Sequence, residues 1–455
     1  MYIDVMGFLI ESIPQALVVR MAEYFAIVNS YAVAKYGKIF ERKENGIIVA
    51  CVEHLWEYST MKKIGIITHY YGSRNIGGLL QSYAMCVALS KLEVKAEQIC
   101  YRPVLEDPKI RVLAVRLKVE QILHCPPKQL VKKITEKILK IKKETNAKEQ
   151  RKIDLQWKRF KEFEKIIPHS QDIYTDTTLT KVNEIYDAFV CGSDVIWHPG
   201  NLMHPAYYLQ FADKNKSKIS YAASMGRLPE TVTEKKEFSY NIRNISYISV
   251  RERSTADYLK KTEDIDARVV LDPTLLLNAE EWTTLEKVEV VPKDPYVFCY
   301  FLGENEKSRE NAVEFCKKRN LQMIYLPYIM GYARKADIAL NQYGNGIYNY
   351  GPEDVVALIH HAEYVFTDSF HAVVFSTIYN KKFFAFDRDE RNSTYSINAR
   401  INDFLKEYEL QDHYVGNGTI PLEEEDNALE LWSAVQEKLE KSRLESYAFL
   451  KRTLL

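Results

Sequence analysis

Short apolar runs recur along the chain from Lys63 onward, each ending in Gly, Ser, Asp, Arg or Thr. The runs Lys63–Thr68, Gln98–Tyr101, Tyr186–Gly192, Lys218–Ala223, Tyr247–Val250 and Val269–Leu271 read as buried strands. Leu79–Leu92, with Leu80, Ala84, Val87 and Ala88 on one face, reads as a helix joined to the first strand by the loop His69–Gly78. Strands alternating with helices predict a parallel sheet built from βαβ units. Beyond a charged, proline-flanked connection at Asn278–Pro295, the pattern restarts. Tyr296–Phe301 and Gln322–Leu326 read as strands, Ser308–Lys318 and Asp354–Ala362 as helices, and residues 400–410 and 427–450 as amphipathic closing helices.

The densest part of the pattern is Glu363–Phe386, read as a strand (Tyr364–Thr367), a sharp turn, a helix (Phe370–Tyr379) and a second strand (Phe383–Phe386). Either Asp368 or Ser369 can cap that helix, and His371 falls in its first turn. Unpaired N–H groups and the positive end of the helix dipole favour an anion against Ser369, Phe370 and His371. A plain polar cap fits the same residues. Other strand ends carry Gly72, Gly77 and Gly78, then Ser193, Asp194 and Trp197, then Ser224, and then Arg251 and Glu252. This is where open α/β sheets bind ligands. The glycine spacing matches neither a dinucleotide fingerprint nor a P-loop. Tyr70, Tyr71 and Trp197 are candidates for stacking on a sugar ring, against the commoner role of core packing.

The 455 residues suit two domains with a tail. The expected division is a 1–60 extension, an N-terminal Rossmann-like acceptor domain at 61–290 with a helical insertion at 105–165, a C-terminal donor domain at 291–425, and a closing helix at 426–455. Residues 1–60, including the helical-looking Pro14–Ala34, share no motif with the rest of the chain. They read as either an accessory segment or a start-site artefact ahead of Met61.

Lys+Arg and Asp+Glu balance at 62 each, so no global field favours nucleic acid. Residues 128–165 hold 14 basic against 6 acidic side chains. Such a run is usually a solvated helix face, and the functional alternative is peripheral contact with an anionic membrane or a lipid-linked acceptor. The 7 scattered cysteines (51, 86, 100, 125, 191, 299, 316) form no C-x-x-C pair, which fits a reducing cytoplasm and indicates neither a disulfide framework nor a structural zinc site. The adjacent His360 and His361 point about 100° apart on a helix, so no metal is expected.

From Lys62 to about Leu410 the chain resembles the polysaccharide pyruvyl transferase family. The resemblance rests on ordered motifs: Asn75–Ala84 (NIGGLLQSYA), Cys191-Gly192-Ser193-Asp194 with Trp197, Ser220–Gly226 (SYAASMG), Ser249-Val250-Arg251-Glu252, Leu271-Asp272-Pro273-Thr274, and Thr367–His371 (TDSFH) with Phe375-Ser376, before Arg400-Ile401. It implies an α/β fold of two Rossmann-like domains with parallel sheets, facing across a cleft in a GT-B-like arrangement. It also implies a cytoplasmic transferase, at most at the inner face of the membrane. That enzyme would move a pyruvyl group from phosphoenolpyruvate to hydroxyls of a saccharide or lipid-linked oligosaccharide, without a cofactor, in cell-surface polysaccharide synthesis.

By the same resemblance His371, Phe370 and Arg251 contact the donor, while Ser369, Asn75, Gly77, Gly78, Ser193 and Trp197 are expected to line the site from their places at strand ends and helix starts. Ser369 stands where better characterised relatives carry an Arg, and Arg388, Arg391 and Arg400 are the candidates to replace it. The chemistry assigns acid catalysis to His371 and the base to Asp194 or Glu252. The alternatives are a nucleotide-sugar glycosyltransferase on the same scaffold and a non-catalytic binding protein of a polysaccharide cluster.

Overall fold

The computed structural model describes residues 61–104, 107–123, 147–327, 337, 340–388, 398–420 and 428–455. The expectations for residues 1–60 and for Arg391 lie outside the described residues. Lys62–Leu455 forms one compact unit.

Seven parallel strands make the first sheet: β1 (Lys63–Ile67), β2 (Lys95–Tyr101), β3 (His169–Tyr174), β4 (Ala188–Cys191), β5 (Ser217–Ala223), β6 (Tyr247–Val250) and β7 (Arg268–Val269), in the order β3-β2-β1-β4-β5-β6-β7. Six make the second: β8 (Tyr296–Tyr300), β9 (Gln322–Tyr325), β10 (Asn345–Gly346), β11 (Tyr364–Thr367), β12 (Lys382–Phe386) and β13 (Tyr414–Gly416), in the order β10-β9-β8-β11-β12-β13. Both orders reverse beside the first strand of their sheet, the doubly wound Rossmann-like pattern. The reversals fall between β1 and β4, where Ile67 is level with Cys191, and between β8 and β11, where Tyr300 is level with Thr367. The ends of β1, β4 and β11 deliver Asn75, Asp194 and His371 to the site, and the ends of β6 and β7 deliver Arg251 and Asp272.

Central strands such as Ala188–Cys191 and Tyr364–Thr367 are buried throughout, which is why continuous apolar runs marked them. The edge strands β3, β10 and β13 escaped the apolar pattern: His169–Tyr174 (HSQDIY) buries only Ser170 and Tyr174, and the other two span two and three residues. The first helix begins at Ile76 rather than Leu79, so Gly77 and Gly78 belong to its first turn and not to the preceding loop.

The two sheets share one continuous core. Ile64, Val190 and Ile219 belong to the same cluster as Phe298, Val365 and Phe383, joined through Leu79, Leu275, Trp282, Val356 and Phe375. Trp282 meets Phe375 edge-on at 4.8 Å and donates its Nε1–H to the Thr274 carbonyl at 2.9 Å. The closing helix, Ala428–Leu454, packs Trp432 near Phe383 and Phe449 near Tyr221, so it lies across both sheets.

Two helices of the insertion are described. Pro108–Leu123 buries only Leu117 and leaves Val112, Val115, Val119, Ile122 and Leu123 exposed. Ala147–Ile166 packs on the core through Phe160 and Phe163, and its Arg159 reaches Glu353 at 3.0 Å and Asp354 at 2.6 Å on the helix Pro352–His360. Among the described residues no helix is long and apolar enough to cross a membrane.

Candidate functional site

The centre of the site is a carboxylate that the apolar pattern does not single out. Asp272 follows β7 and caps the short turn Pro273–Leu276 by accepting from the Thr274 N–H at 3.0 Å and the Thr274 hydroxyl at 2.7 Å. Its other oxygen accepts from Arg251 Nη1 at 2.6 Å and from the Ser193 hydroxyl at 2.9 Å, and His371 Nε2 stands 3.7 Å away. That last distance is too long for a hydrogen bond but close enough for charge attraction. Burial opposes the Asp272 charge, yet His371 and Arg251 outweigh it and hold the carboxyl well below its ordinary range.

Arg251 leaves the end of β6 buried and bonded on two sides: Nε donates to Glu252 Oε1 at 2.9 Å and Nη1 to Asp272. Its guanidinium lies 4.1 Å from the Phe370 ring centroid, so an N-terminal-sheet cation stacks on a C-terminal-sheet aromatic. Burial works against the charge, but Glu252, Asp272 and Asp194 keep Arg251 firmly protonated. Arg251 Nη2 and His371 Nε2 are buried with no hydrogen-bond partner, the signature of groups arranged for something other than each other.

His371 is seated by a glycine. A Cβ placed on Gly77 would come within 1.9 Å of His371 Nδ1, so the imidazole occupies the space a side chain there would fill. This is the physical reason for glycine at the start of the first helix. At the other strand end Gly192 has φ +117°, and a Cβ would meet the Tyr221 carbonyl at 2.1 Å. The next turn carries Asp194 in the left-handed region at φ +58°. Asp194 accepts from Asn75 Nδ2 at 2.7 Å. Burial pushes its carboxyl up, but His371, Arg251, Arg400 and His69 together bring it below the ordinary value.

Arg400 completes the cluster from the helix Ala399–Glu407. It is 7% exposed, and its guanidinium lies 6.0 Å from the centroid of the same Phe370 ring that Arg251 covers. Burial, then the like charges of Arg251 and Arg388, pull it down to about 9, against partial relief from Asp194 and Glu252. Arg388 donates from Nη2 to the Asp368 carbonyl at 3.0 Å. Arg251 and Arg400 thus lie on Phe370 and Arg388 on Asp368, which puts three guanidinium groups near the turn that carries Ser369.

Several expectations change. Neither Asp368 nor Ser369 caps the helix Phe370–Ile378 through its side chain. The Asp368 carboxylate accepts instead from the Leu302 and Gly303 N–H groups at 2.6 Å each, tying this turn to the end of β8. The Ser369 N–H donates to Thr367 Oγ1 at 2.9 Å and is not available to an anion. Ser193 is fully buried between Asp272 and the Ala222 carbonyl, so it supports the site from beneath rather than lining it.

Trp197 is also fully buried, stacked on Tyr208 with 3° between planes and donating to the Tyr207 carbonyl at 3.1 Å, which leaves no face for a sugar. Tyr70 is core as well, its hydroxyl 3.1 Å from Cys100 Sγ. Glu252 spends its carboxylate on Arg251 and Thr255 and is poorly placed as a base. Gly78 packs under the His69 carbonyl rather than facing the cluster. Asn75, Gly77, Asp194, Arg251, Phe370 and His371 do come together. Asp272, Arg400 and His69 join them, the last with a buried imidazole that burial holds below its ordinary value despite Asp194. The motif containing Asp272 was visible in the sequence without a role assigned to the carboxylate, whereas Arg400 was one of three candidates to replace the arginine absent at Ser369.

Solved structures with a similar fold include the UDP-GlcNAc 2-epimerase of Neisseria meningitidis bound to UDP-GlcNAc (11% identity, 85% of this chain and 94% of that one covered, TM-score 0.42). The UDP-GlcNAc 2-epimerase of Methanocaldococcus jannaschii (14% identity, 84% and 94% covered, TM-score 0.43) and a UDP-glucosyltransferase from Polygonum tinctorium (9% identity, 87% and 98% covered, TM-score 0.43) are comparably similar. No curated protein sequence matches significantly. The sequence profile of one family, polysaccharide pyruvyl transferase, matches residues 75–390, from Asn75 against Asp194 to the Arg388 turn. With that match over most of its length, the chain belongs to the polysaccharide pyruvyl transferase family.

Proposed function

We propose that the protein is a phosphoenolpyruvate-dependent pyruvyl transferase that converts two hydroxyls of a sugar into a pyruvate ketal, with release of inorganic phosphate, in polysaccharide synthesis. The observation that carries this reading is the placement of Arg251 and Arg400 on the Phe370 ring with Arg388 on the adjacent Asp368, Arg400 being buried and pulled down to about 9. Like charges are held together out of water only at a cost, which a bound multivalent anion offsets. A donor carrying both a phosphate and a carboxylate matches three guanidinium groups better than a single carboxylate does.

The reaction needs an acid and a base. The donor methylene takes a proton as positive charge develops on the adjacent carbon. One sugar hydroxyl adds to that carbon, the carbon–oxygen bond to phosphate breaks, and the second hydroxyl closes the ketal. Of the two hydroxyl protons, one balances the new methyl group and one leaves with phosphate.

His371 is the acid in this reading. Its Nε2 is buried without a hydrogen-bond partner, 3.7 Å from the Asp272 carboxylate. Asp194 is held below its ordinary value, which suits it to orient a hydroxyl more than to keep that hydroxyl's proton. The largely neutral imidazole of His69 beside it has the better proton affinity for the base. The test is incubation with phosphoenolpyruvate and a panel of saccharides or lipid-linked oligosaccharides. One phosphate released per ketal formed supports the reading, and turnover of a UDP-sugar without phosphoenolpyruvate defeats it.

A further inference from the structure

Behind the active site, on the far end of the helix that carries His371, a second polar cluster has no part in the chemistry above. Glu286 lies in the connection between the sheets, and its side chain is only 3% exposed. One carboxylate oxygen is 2.7 Å from His360 Nδ1 and the other 3.1 Å from His361 Nε2. Tyr379, at the end of the helix Phe370–Ile378, donates its hydroxyl to Glu286 at 2.9 Å and stacks on the His360 ring at 4.1 Å. Two adjacent histidines expected to diverge are thus turned toward one carboxylate. They sit where the helix Pro352–His360 ends, His361 being its last capping residue with its N–H still bonded to the Ala357 carbonyl at 3.0 Å.

We propose that Glu286, His360 and His361 bind a divalent transition cation, zinc being the best fit. The carboxylate oxygen and the two ring nitrogens lie within 4.8 Å of one another. Ligands about 2.0–2.1 Å from a tetrahedral ion stand roughly 3.3 Å apart, so the cluster needs only small side-chain shifts to close on a metal. Two imidazoles and a carboxylate are a ligand set suited to zinc, with a fourth position open on the exposed His361 side.

Among the described residues no Lys or Arg nitrogen forms an ion pair with Glu286, so this buried carboxylate is met only by imidazoles and a phenol. Lys381 feels the Glu286 charge without forming an ion pair with it. Binding requires His360 to carry its proton on the other ring nitrogen, a tautomer change with no net proton release from the neutral ring. The stacked Tyr379 ring fixes the imidazole plane, and its hydroxyl orients the carboxylate. The ion would tie the intersheet connection to the two helices that meet behind His371.

The test uses the full chain stripped with a chelator and returned to metal-free buffer. Zinc affinity is measured by competition with a chromophoric chelator, and cobalt substitution reads the coordination geometry. One tight site with tetrahedral cobalt absorption is expected, weakened about tenfold or more in each of His361→Ala and Glu286→Gln. Melting curves of the metal-free variants check that each is folded. His361→Ala, at an exposed position, keeps the test open where Glu286→Gln does not fold. No zinc binding at micromolar concentrations, or binding unchanged in the folded variants, overturns the assignment.

Discussion

His371 Nε2 and Asp272 Oδ2 stand 3.7 Å apart, an imidazole from the second sheet facing a carboxylate from the first. The same oxygen is bonded to Arg251, so one buried carboxylate faces two of the three residues that the family resemblance assigns to the donor. Replacing it with asparagine leaves Arg251 buried beside a neutral group. Asp272→Asn is expected to cost about 3–5 kcal/mol, the range for breaking a buried pair from one side, read as a fall in Tm.

That substitution also changes acid sensitivity. The Asp272 carboxyl is held below its ordinary value of 3.8, so its stabilising contribution is complete above that pH and is lost as pH falls through and below it. Wild-type stability should therefore drop steeply on the acid side, and Asp272→Asn should flatten that limb. Equilibrium denaturation at pH 3 to 7, compared between the two proteins, measures the difference.

Gly77→Ala is the sharpest local test of the site. The added methyl would meet His371 Nδ1 at 1.9 Å, so either the imidazole or the helix start has to move. Overpacking of this kind costs about 1–3 kcal/mol. Displacing a reacting group by about 1 Å costs on the order of 100-fold in turnover. A variant that stays folded at 25 °C while losing most of its activity is the expected result in a phosphate-release assay with Tm in parallel.

Arg400 makes the opposite kind of prediction. Its folded value is pulled down to about 9 from an ordinary 12.5, so below about pH 9 it is a charged group that folding disfavours, and the penalty is relieved as pH rises between those values. Arg400→Met should weaken anion binding at neutral pH. In the wild type, donor affinity should decline as pH rises through about 9, where Arg400 loses its proton. Calorimetric titration across pH 7 to 10 checks both statements.

Trp197 separates core from substrate. With the indole stacked on Tyr208 and no exposed face, Trp197→Ala is expected to cost about 3–5 kcal/mol in stability. Trp197→Phe should retain KM for the acceptor. A raised KM at unchanged Tm would show instead that the ring meets a sugar.

The fold was legible because its central strands are apolar on both faces and each ends in small or charged residues. The edge strand His169–Tyr174 was not, since four of its six side chains face water and no apolar run survives. Within the site, His371, Arg251 and Asp194 stood out as charged residues at strand ends. The sequence could not reveal that Gly77 makes room for His371, because the two lie 294 positions apart and meet only across the sheets. Trp197 and Ser193 misled for the converse reason. They occupy strand-end positions like Asp194 and Arg251, but their turns fold the side chains inward beneath the cluster. Arg400 was one candidate among three, and only the packing of its helix against Phe370 distinguishes it.

The central claim is that the arginine cluster holds phosphoenolpyruvate, and a thermal-shift titration tests it most directly. A ligand at 100 times its Kd adds about 2.7 kcal/mol of stability, readily seen as a rise in Tm. The account predicts that phosphoenolpyruvate raises the Tm of the wild type and that His371→Ala and Arg400→Met reduce or abolish that rise. No shift with phosphoenolpyruvate, together with stabilisation by a UDP-sugar that survives both substitutions, would contradict it.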